Sequence, residues 1–168
     1  LDLSNNGHQP MISTDEQVVL MMNGEIYNAF DYKEDLIQKG HVLKSTTDTE
    51  IVLHLYLEYG MEAMISKLNG LFALAIYDFN IDTLFLGRDR FGIKPLYILQ
   101  EKNRLAFTSE IKSFKKLSDF NLEADFSRLD EFLLFRNLIN KTLFKNIRNC
   151  KPGTYLSIKN QKIETHLY

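Results

Sequence analysis

The chain of 168 residues has the length of one domain and is long enough to bury a core without disulfides or a structural metal. Its 20 basic and 22 acidic residues are interspersed, and the formal net charge of −2 creates no field that would attract nucleic acid or an anionic membrane. The sequence has no apolar run near the roughly 20 residues that span a bilayer, and its single cysteine, Cys150, cannot form an internal disulfide. These features predict a one-domain cytoplasmic protein without nucleic-acid or membrane partners.

An apolar run from Val18 to Met22 leads directly into Asn23-Gly24-Glu25. The run predicts a strand buried on both faces, and the Asn-Gly step predicts its end, because these two residues best tolerate positive φ. A short hairpin turn is the commonest structure at such a step. An Asn carboxamide beside a glycine N–H is also the pair of donors that holds the oxyanion of a tetrahedral acyl-transfer intermediate. By itself, the motif leaves both interpretations open.

Two segments have the spacing of a capping box, in which a polar residue at a helix start is followed three positions later by Glu. The first predicts a helix from Asp31 to Gln38, ended by Gly40. The second predicts a helix that starts at Thr47, reaches Leu57 and is ended by Gly60. At the start of this second helix, the carboxylate of Asp48 could cap backbone N–H groups or face the ammonium group of a ligand.

From Leu71 onward the pattern changes to short apolar segments separated by polar or glycine-bearing turns, which predicts consecutive strands. Such strands indicate a mostly antiparallel sheet with helices on a face or between sheets, and therefore an α+β domain. The predicted strands are Phe72 to Tyr77, Thr83 to Gly87, Pro95 to Leu99 and Leu105 to Thr108, with a closing hairpin around Asn160-Gln161. The further predicted helices are Met61 to Leu68, Ile111 to Leu117 and Ser127 to Phe135.

Two other groups of charged residues are interpreted as structural. Glu50, His54 and Glu58 share one helical face at i, i+4 spacing, but two carboxylates and one histidine form a solvated stripe more often than a metal site. No metal is predicted. The segment around Arg88 and Asp89 lacks the spacing of a phosphate-binding loop, so these two charges are expected to be satisfied within the domain.

Seven motifs in chain order resemble the class II glutamine amidotransferases, and most closely the glutaminase domain of glutamine-dependent asparagine synthetases. They are Gly7-His8-Gln9-Pro10-Met11, Asn23-Gly24-Glu25-Ile26-Tyr27-Asn28, Thr47-Asp48-Thr49-Glu50, Leu68-Asn69-Gly70-Leu71-Phe72-Ala73, the run from Gly87 to Tyr97, Ser109-Glu110-Ile111-Lys112 and Lys151-Pro152-Gly153. The resemblance covers nearly the whole chain, residues 1–168. It implies the αββα sandwich of N-terminal-nucleophile hydrolases, with mostly antiparallel sheets.

The resemblance also implies roles for four residues. Asn23 and the Gly24 N–H would hold the oxyanion, Asp48 would bind the α-amino group of glutamine, and Glu25 would add an acceptor for the same ammonium. Members of the family begin with a cysteine whose thiol is the nucleophile and whose α-amino group is the base, and an upstream arginine binds the α-carboxylate. Neither group is present from Leu1 onward, so we expect an incomplete N-terminal segment and no activity of this fragment alone.

By the same resemblance, glutamine is the substrate, and the released ammonia would pass to a C-terminal synthetase domain that uses ATP and magnesium to activate aspartate. The glutaminase domain itself would need no cofactor. Two alternatives stay open: an amidotransferase that serves another acceptor, such as a sugar or a purine precursor, and a non-catalytic amidotransferase-like domain that binds or regulates. The sequence also leaves a homodimer open.

Overall fold

The computed structural model describes residues 4–102, 104–136, 138 and 141–168. The chain divides into two compact units. The first comprises the described residues up to Lys94 together with Pro152–Tyr168, and the second comprises the described residues of Pro95–Lys151. Within the described ranges, no helix has both the length and the apolar character needed to cross a membrane.

The described part of the chain contains nine strands, and all their pairings are antiparallel. They are β1 (Met11–Ile12), β2 (Val18–Ile26), β3 (Gly70–Asp78), β4 (Thr83–Arg88), β5 (Tyr97–Glu101), β6 (Arg104–Thr108), β7 (Ile147–Asn149), β8 (Thr154–Lys159) and β9 (Lys162–Leu167). The first unit holds a six-stranded sheet in the order β1-β2-β3-β4-β8-β9, and the second holds a three-stranded sheet in the order β6-β5-β7. The antiparallel sheets confirm the predicted α+β class.

Three α-helices occur in the described residues: α1 (Lys33–Gln38), α2 (Asp48–Lys67) and α3 (Leu129–Phe135). Short 3₁₀ helices span Asn5–Gly7, Ala29–Tyr32, Ile111–Lys116 and Phe126–Arg128. The helix predicted from Ile111 is therefore a 3₁₀ segment, and no side chain caps its start at Glu110. The helix predicted to end at Phe135 is confirmed by α3.

Gly60 divides α2 into two helical segments. Its φ of 73° and ψ of 177° are not helical, and the chain turns there before the second segment begins at Met61. Glycine adopts positive φ at little cost because it has no Cβ. The predicted helix end at Gly60 and the predicted short helix after it are both confirmed.

The core of the first unit contains apolar residues from α2 and from the central strands of its sheet. Its fully buried side chains include Leu20, Ile51, Leu55, Phe72, Leu74 and Ile76. Burial alternates along β2, where Leu20 and Met22 are buried while Met21 is 42% exposed. The prediction that this strand is buried on both faces was therefore wrong, because its inner side chains face the core and its outer ones do not.

The strand β2 continues through the Asn-Gly step, contrary to the prediction that it ends there. Asn23 pairs with Ala73 and Gly24 pairs with Phe72, and the ladder extends to Ile26. The partner strand β3 supplies these pairs, so the local preference of Asn-Gly for a turn is overridden. A two-residue turn does occur where the closing hairpin was predicted, at Asn160 and Gln161, which have φ of 50° and 64°.

The two predicted capping boxes have different outcomes. The second is confirmed in part, because Thr47 is the N-cap of α2 and its side chain accepts a hydrogen bond from the Glu50 N–H. The first was wrong: the N-cap of α1 is Tyr32, and no side chain caps this helix. A 3₁₀ turn precedes α1, and the Asp31 N–H donates to the carbonyl oxygen of Asn28 within that turn.

Candidate active site

Two glycines allow β2 and β3 to approach each other closely beside the Asn23-Gly24 step. A Cβ atom on Gly24 would lie 2.1 Å from the carbonyl oxygen of Leu71, and one on Gly70 would lie 2.2 Å from that of Glu25. Real Cβ atoms essentially never come this close to another heavy atom. The motif therefore contains glycine because of a close approach between strands, and not because of a turn.

The edge of β2 that faces away from β3 carries the N–H groups of Met22, Gly24 and Ile26. Backbone N–H groups alternate between the two edges of a strand. The Tyr27 N–H donates to the carbonyl oxygen of Asn69 at 2.8 Å, on the β3 side. The N–H groups of the even-numbered residues therefore point to the other edge, and that of Gly24 is directed there.

Two side chains bind this edge of β2 on either side of Gly24. Gln9 Oε1 accepts a hydrogen bond from the Met22 N–H at 2.6 Å, and Asp48 Oδ2 accepts one from the Ile26 N–H at 2.8 Å. Residues two apart on a strand are separated by about 6.7 Å. The Gly24 N–H thus lies on the same edge as the Asp48 carboxylate, two residues before the Ile26 N–H that this carboxylate binds.

The first residue of α2 supplies that carboxylate. Asp48 Oδ1 accepts a hydrogen bond from the Thr49 N–H at 2.8 Å, so each carboxylate oxygen caps a backbone N–H. The predicted capping role of Asp48 is confirmed. The Thr49 hydroxyl also donates to Oδ1 at 3.4 Å, and since a carboxylate oxygen has two lone pairs, Oδ2 could accept from a ligand ammonium in addition to the Ile26 N–H. Binding of such an ammonium stays a prediction.

The side chains of Asn23 and Glu25 lie on the outer face of β2, because side chains alternate along a strand and Met22 faces the core. Both residues are exposed. The fold therefore places the four predicted residues in two adjacent positions: Asn23 and Glu25 on the face of the strand, and the Gly24 N–H with Asp48 at its edge.

Two residues that help to build this region were not predicted as site residues. One is Gln9, which binds the strand edge. The other is Asn28, whose Nδ2 donates to the carbonyl oxygen of Lys67 at 2.9 Å and whose Oδ1 accepts from the Asn69 N–H at 2.8 Å. Asn28 thereby ties the end of β2 to the link between α2 and β3. The signal for both was their place in the Gly7–Met11 and Asn23–Asn28 motifs.

The family model for the glutamine amidotransferase domain matches residues 1–168. The chain belongs to the glutamine amidotransferase domain family. It is 38% identical over 166 residues to asparagine synthetase [glutamine-hydrolyzing] 2 of Bacillus subtilis, covering 91% of this chain and 21% of that protein. It is 34% identical over 169 residues to amidase chyE of Penicillium rubens, covering 100% of this chain and 24% of that protein. The domain thus spans about a quarter or less of the length of these relatives.

Solved structures of amidotransferases share the fold. Glutamine phosphoribosylpyrophosphate amidotransferase from B. subtilis has a TM-score of 0.67 at 21% identity, covering 95% of this domain and 31% of that chain. A structure of the allosteric regulatory enzyme of purine biosynthesis has a TM-score of 0.69 at 20% identity, covering 96% and 31%. The predicted fold of the N-terminal-nucleophile hydrolases is confirmed.

In the amidotransferase domain, the Arg88-Asp89 pair organises the loop that follows β4. Asp89 is fully buried, and its carboxylate accepts hydrogen bonds from the N–H groups of Phe91, Ile93 and Lys94, each at 3.0 Å. The guanidinium of Arg88 donates to the carbonyl oxygen of Lys94 at 2.9 Å. Both charges are satisfied within the domain, as predicted.

The face of α2 that was predicted to be a solvated stripe is exposed at Glu58, as predicted, but Glu50 is buried and His54 is partly buried, and hydrogen bonds hold all three side chains. His54 Nδ1 lies 2.9 Å from His41 Nδ1, and His41 Nε2 lies 3.1 Å from Glu58 Oε2. Glu50 is only 8% exposed and binds the backbone of the preceding loop. Burial, and then the neighbouring His41, lower the pKa of His54. Among the described residues, no group of three or more His, Cys, Asp or Glu could hold a metal.

A cleft of about 260 Å³ lies beside β1 and the first turns of α2. Its lining includes His8, Met11, Lys44, Glu50 and His54. None of Asn23, Gly24, Glu25 or Asp48 lines it. The cleft is therefore lined by other residues than the four predicted from the motifs, and its volume alone does not identify it as the candidate active site.

Proposed function

We propose that this domain is the glutaminase domain of a glutamine-hydrolysing asparagine synthetase. The observation that carries the proposal is the edge of β2. The Asp48 carboxylate binds this edge at the Ile26 N–H, two residues after the Gly24 N–H, and Asn23 is the residue before Gly24. The asparagine synthetases 2, 1 and 3 of B. subtilis, at 38%, 36% and 34% identity, support the same assignment.

The chemistry divides into holding the charged end of glutamine and stabilising the oxyanion. The Asp48 carboxylate binds the α-ammonium, with Glu25 as a second acceptor. A thiolate attacks the side-chain amide carbon, and the negative oxygen that develops is held by the Asn23 carboxamide and the Gly24 N–H. Ammonia leaves, and water then hydrolyses the thioester to release glutamate.

The nucleophile in this proposal is a cysteine thiol that precedes Leu1 in the longer protein. Cys150 does not fill this role, because it is fully buried in the second unit and an interior cysteine has no α-amino group of its own to act as base. We therefore expect the 168-residue chain alone to leave glutamine unchanged.

A second domain that receives the ammonia is the proposed partner. Because the chain spans a minor part of its relatives, those proteins have room for such a domain. The loop held by Asp89 exposes 82% of Phe91 and 57% of Ile93, and exposed apolar side chains on an internally hydrogen-bonded loop suit a contact with another domain. ATP, magnesium and aspartate would bind to that second domain and not to this one.

An amidotransferase with another acceptor is the second candidate. The observation that favours it is the 34% identity to amidase chyE over the whole chain, which shows that similar domains occur in proteins with other names. Assaying the longer protein with ATP, glutamine and either aspartate or alternative acceptors separates the two. Asparagine formation supports the first candidate, and its absence with continued ammonia release supports the second.

Substitution of Asn23 tests the proposed oxyanion hole in the longer protein. We expect Asn23→Ala to lower kcat for glutamine hydrolysis about a hundredfold or more, because one oxyanion donor is lost. Activity with free ammonia should be unchanged, since that reaction bypasses glutamine hydrolysis. Glutamate release at the wild-type rate would remove Asn23 from the mechanism.

Substitution of Asp48 tests the proposed ammonium site. Asp48→Asn should raise KM for glutamine about tenfold with a smaller change in kcat, because an ammonium anchor acts in both the ground state and the transition state. Glu34→Gln is the matched control, since Glu34 is an exposed carboxylate in the first turn of α1. An unchanged KM in Asp48→Asn would contradict the assignment.

A further inference from the structure

Glu50 is a buried carboxylate that the proposed chemistry does not use. It is 8% exposed, and its two oxygens accept hydrogen bonds from the Lys44 N–H at 2.7 Å and the Ser45 N–H at 2.7 Å. The hydroxyl of Ser45 also donates to it at 2.8 Å. A buried charge is tolerated only when it is well hydrogen-bonded, and these three bonds meet that need.

Hydrogen bonds connect Glu50 through Ser45 to Thr47, the residue before Asp48. Ser45 Oγ lies 2.9 Å from Thr47 Oγ1 and accepts a hydrogen bond from the Thr47 N–H at 3.3 Å. Thr47 in turn accepts from the Glu50 N–H at 3.2 Å. Hydrogen bonds therefore connect both ends of the loop from Lys44 to Thr47 to Glu50 in the first turn of α2. Asp48 is the residue that follows this loop.

Asp48 directly follows this hydrogen-bonded loop in the chain. Its carboxylate reaches from the start of α2 to the Ile26 N–H on β2, across 22 positions of sequence. A hydrogen bond weakens steeply when its geometry is lost, so a shift of the loop would move the carboxylate relative to the edge that carries the Gly24 N–H. Glu50 does not share that edge, because its carboxylate binds the loop from Lys44 to Ser45.

We propose that Glu50 is a positioning residue for glutamine binding, which acts through Asp48 by fixing the loop from Lys44 to Thr47. This inference rests on the proposed function of Asp48 as the ammonium anchor. Glu50 itself does not contact the substrate.

The test is Glu50→Gln in the longer, glutamine-hydrolysing protein. Glutamine keeps the shape of the side chain but places an NH₂ donor against one of the backbone N–H donors, so one hydrogen bond to the loop is lost. We expect KM for glutamine to rise about fivefold, the effect of about one hydrogen bond, with kcat changed less than about twofold. Glu34→Gln, an exposed carboxylate at the start of α1, should leave both constants unchanged.

The double variant with Asp48→Asn decides whether Glu50 acts through Asp48. If it does, adding Glu50→Gln to Asp48→Asn leaves KM at the value of Asp48→Asn alone, because the positioned group is already lost. Additive effects, or a wild-type KM in Glu50→Gln, would overturn the inference while the role of Asp48 stands. A wild-type KM in Asp48→Asn would instead mean that the proposed function has failed.

Ser45→Ala provides a second, milder variant. It removes the hydroxyl that joins Glu50 to Thr47 and leaves the Glu50 carboxylate and both backbone donors in place. We expect a smaller rise in KM in the same direction, and again no added effect in the presence of Asp48→Asn. If Glu50→Gln does not fold, an unchanged KM in Ser45→Ala overturns the inference.

Discussion

The two helix beginnings of the first unit share a sequence spacing and differ in structure. Both Asp31–Glu34 and Thr47–Glu50 place a polar residue three positions before Glu. At α2, Thr47 caps the helix, and the buried Glu50 binds the loop in front of it. At α1, neither side chain caps the helix, and Glu34 is exposed.

The difference lies in the residues that precede each helix. A loop leads into α2, and Glu50 accepts hydrogen bonds from the N–H groups of Lys44 and Ser45 in that loop. A 3₁₀ turn leads into α1, and in this turn the N–H groups of Asp31 and Lys33 donate to the backbone carbonyl oxygens of Asn28 and Phe30. The spacing therefore predicts that a helix begins nearby, but the preceding loop decides whether the carboxylate has a structural role.

The largest effect is expected for Glu50→Ala. Removing this carboxylate leaves the Lys44 and Ser45 donors without their acceptor, so the free energy of unfolding should fall by about 2–3 kcal/mol, the usual cost of losing hydrogen bonds to a charged group. The equivalent change at α1, Glu34→Ala, should alter it by less than about 0.5 kcal/mol because that side chain is exposed. Urea denaturation of both variants measures the difference, and equal losses would refute the contrast between the two helix beginnings.

A smaller effect is expected at the N-cap. Thr47→Ala removes the acceptor of the Glu50 N–H and should lower the free energy of unfolding by about 1 kcal/mol. Asp31→Ala is the matched change in the other segment, where we expect no measurable loss because Asp31 caps nothing. A loss at Asp31 as large as that at Thr47 would mean that the first segment is also a capping box in solution.

The smallest expected effect is a pH dependence of the free energy of unfolding, caused by His54 in α2. The pKa of His54 is lowered from its usual 6.5 by burial and by His41, while Glu50 opposes and Lys44 adds to the shift. Because the unfolded chain binds this proton more readily than the folded one, the stabilisation is full above about pH 6.5 and declines as the pH falls below that value. Unfolding measured from pH 7.5 to 5 should show this decline, and His54→Asn should reduce it. An identical slope in the variant would exclude His54 as the cause.

Much of the fold was predictable because local signals agreed with tertiary structure. The end of the first helical segment of α2 at Gly60 and the hairpin at Asn160-Gln161 both follow from residues that tolerate positive φ. The Asn23-Gly24 step shows the limit of such signals. The same residues fit a turn, and only the pairing with β3 and the opposing Gly70 determine that the strand continues.

The motifs predict the residues of the candidate site but not the residues that support it. Asn23, Gly24 and Asp48 were identified through the motifs, and the fold brings Asp48 to the edge of β2. Gln9 and Asn28 were missed as site residues because their partners lie 13 to 41 positions away along the chain, beyond any local spacing rule. Glu50 was predicted to lie in a solvated stripe because helical periodicity gives no information about a loop that packs on the first turn of the helix.

The buried thiol of Cys150 has a practical consequence for experiments on the 168-residue chain. It is the only sulfhydryl in that sequence, and it is fully buried in the folded chain. A thiol reagent can modify it only during transient opening, so the labelling rate as a function of reagent concentration gives the equilibrium of the opening that exposes Cys150. The protein thus contains a natural probe whose opening equilibrium, compared with that of global unfolding, distinguishes local opening around Cys150 from unfolding of the whole chain, without any introduced label.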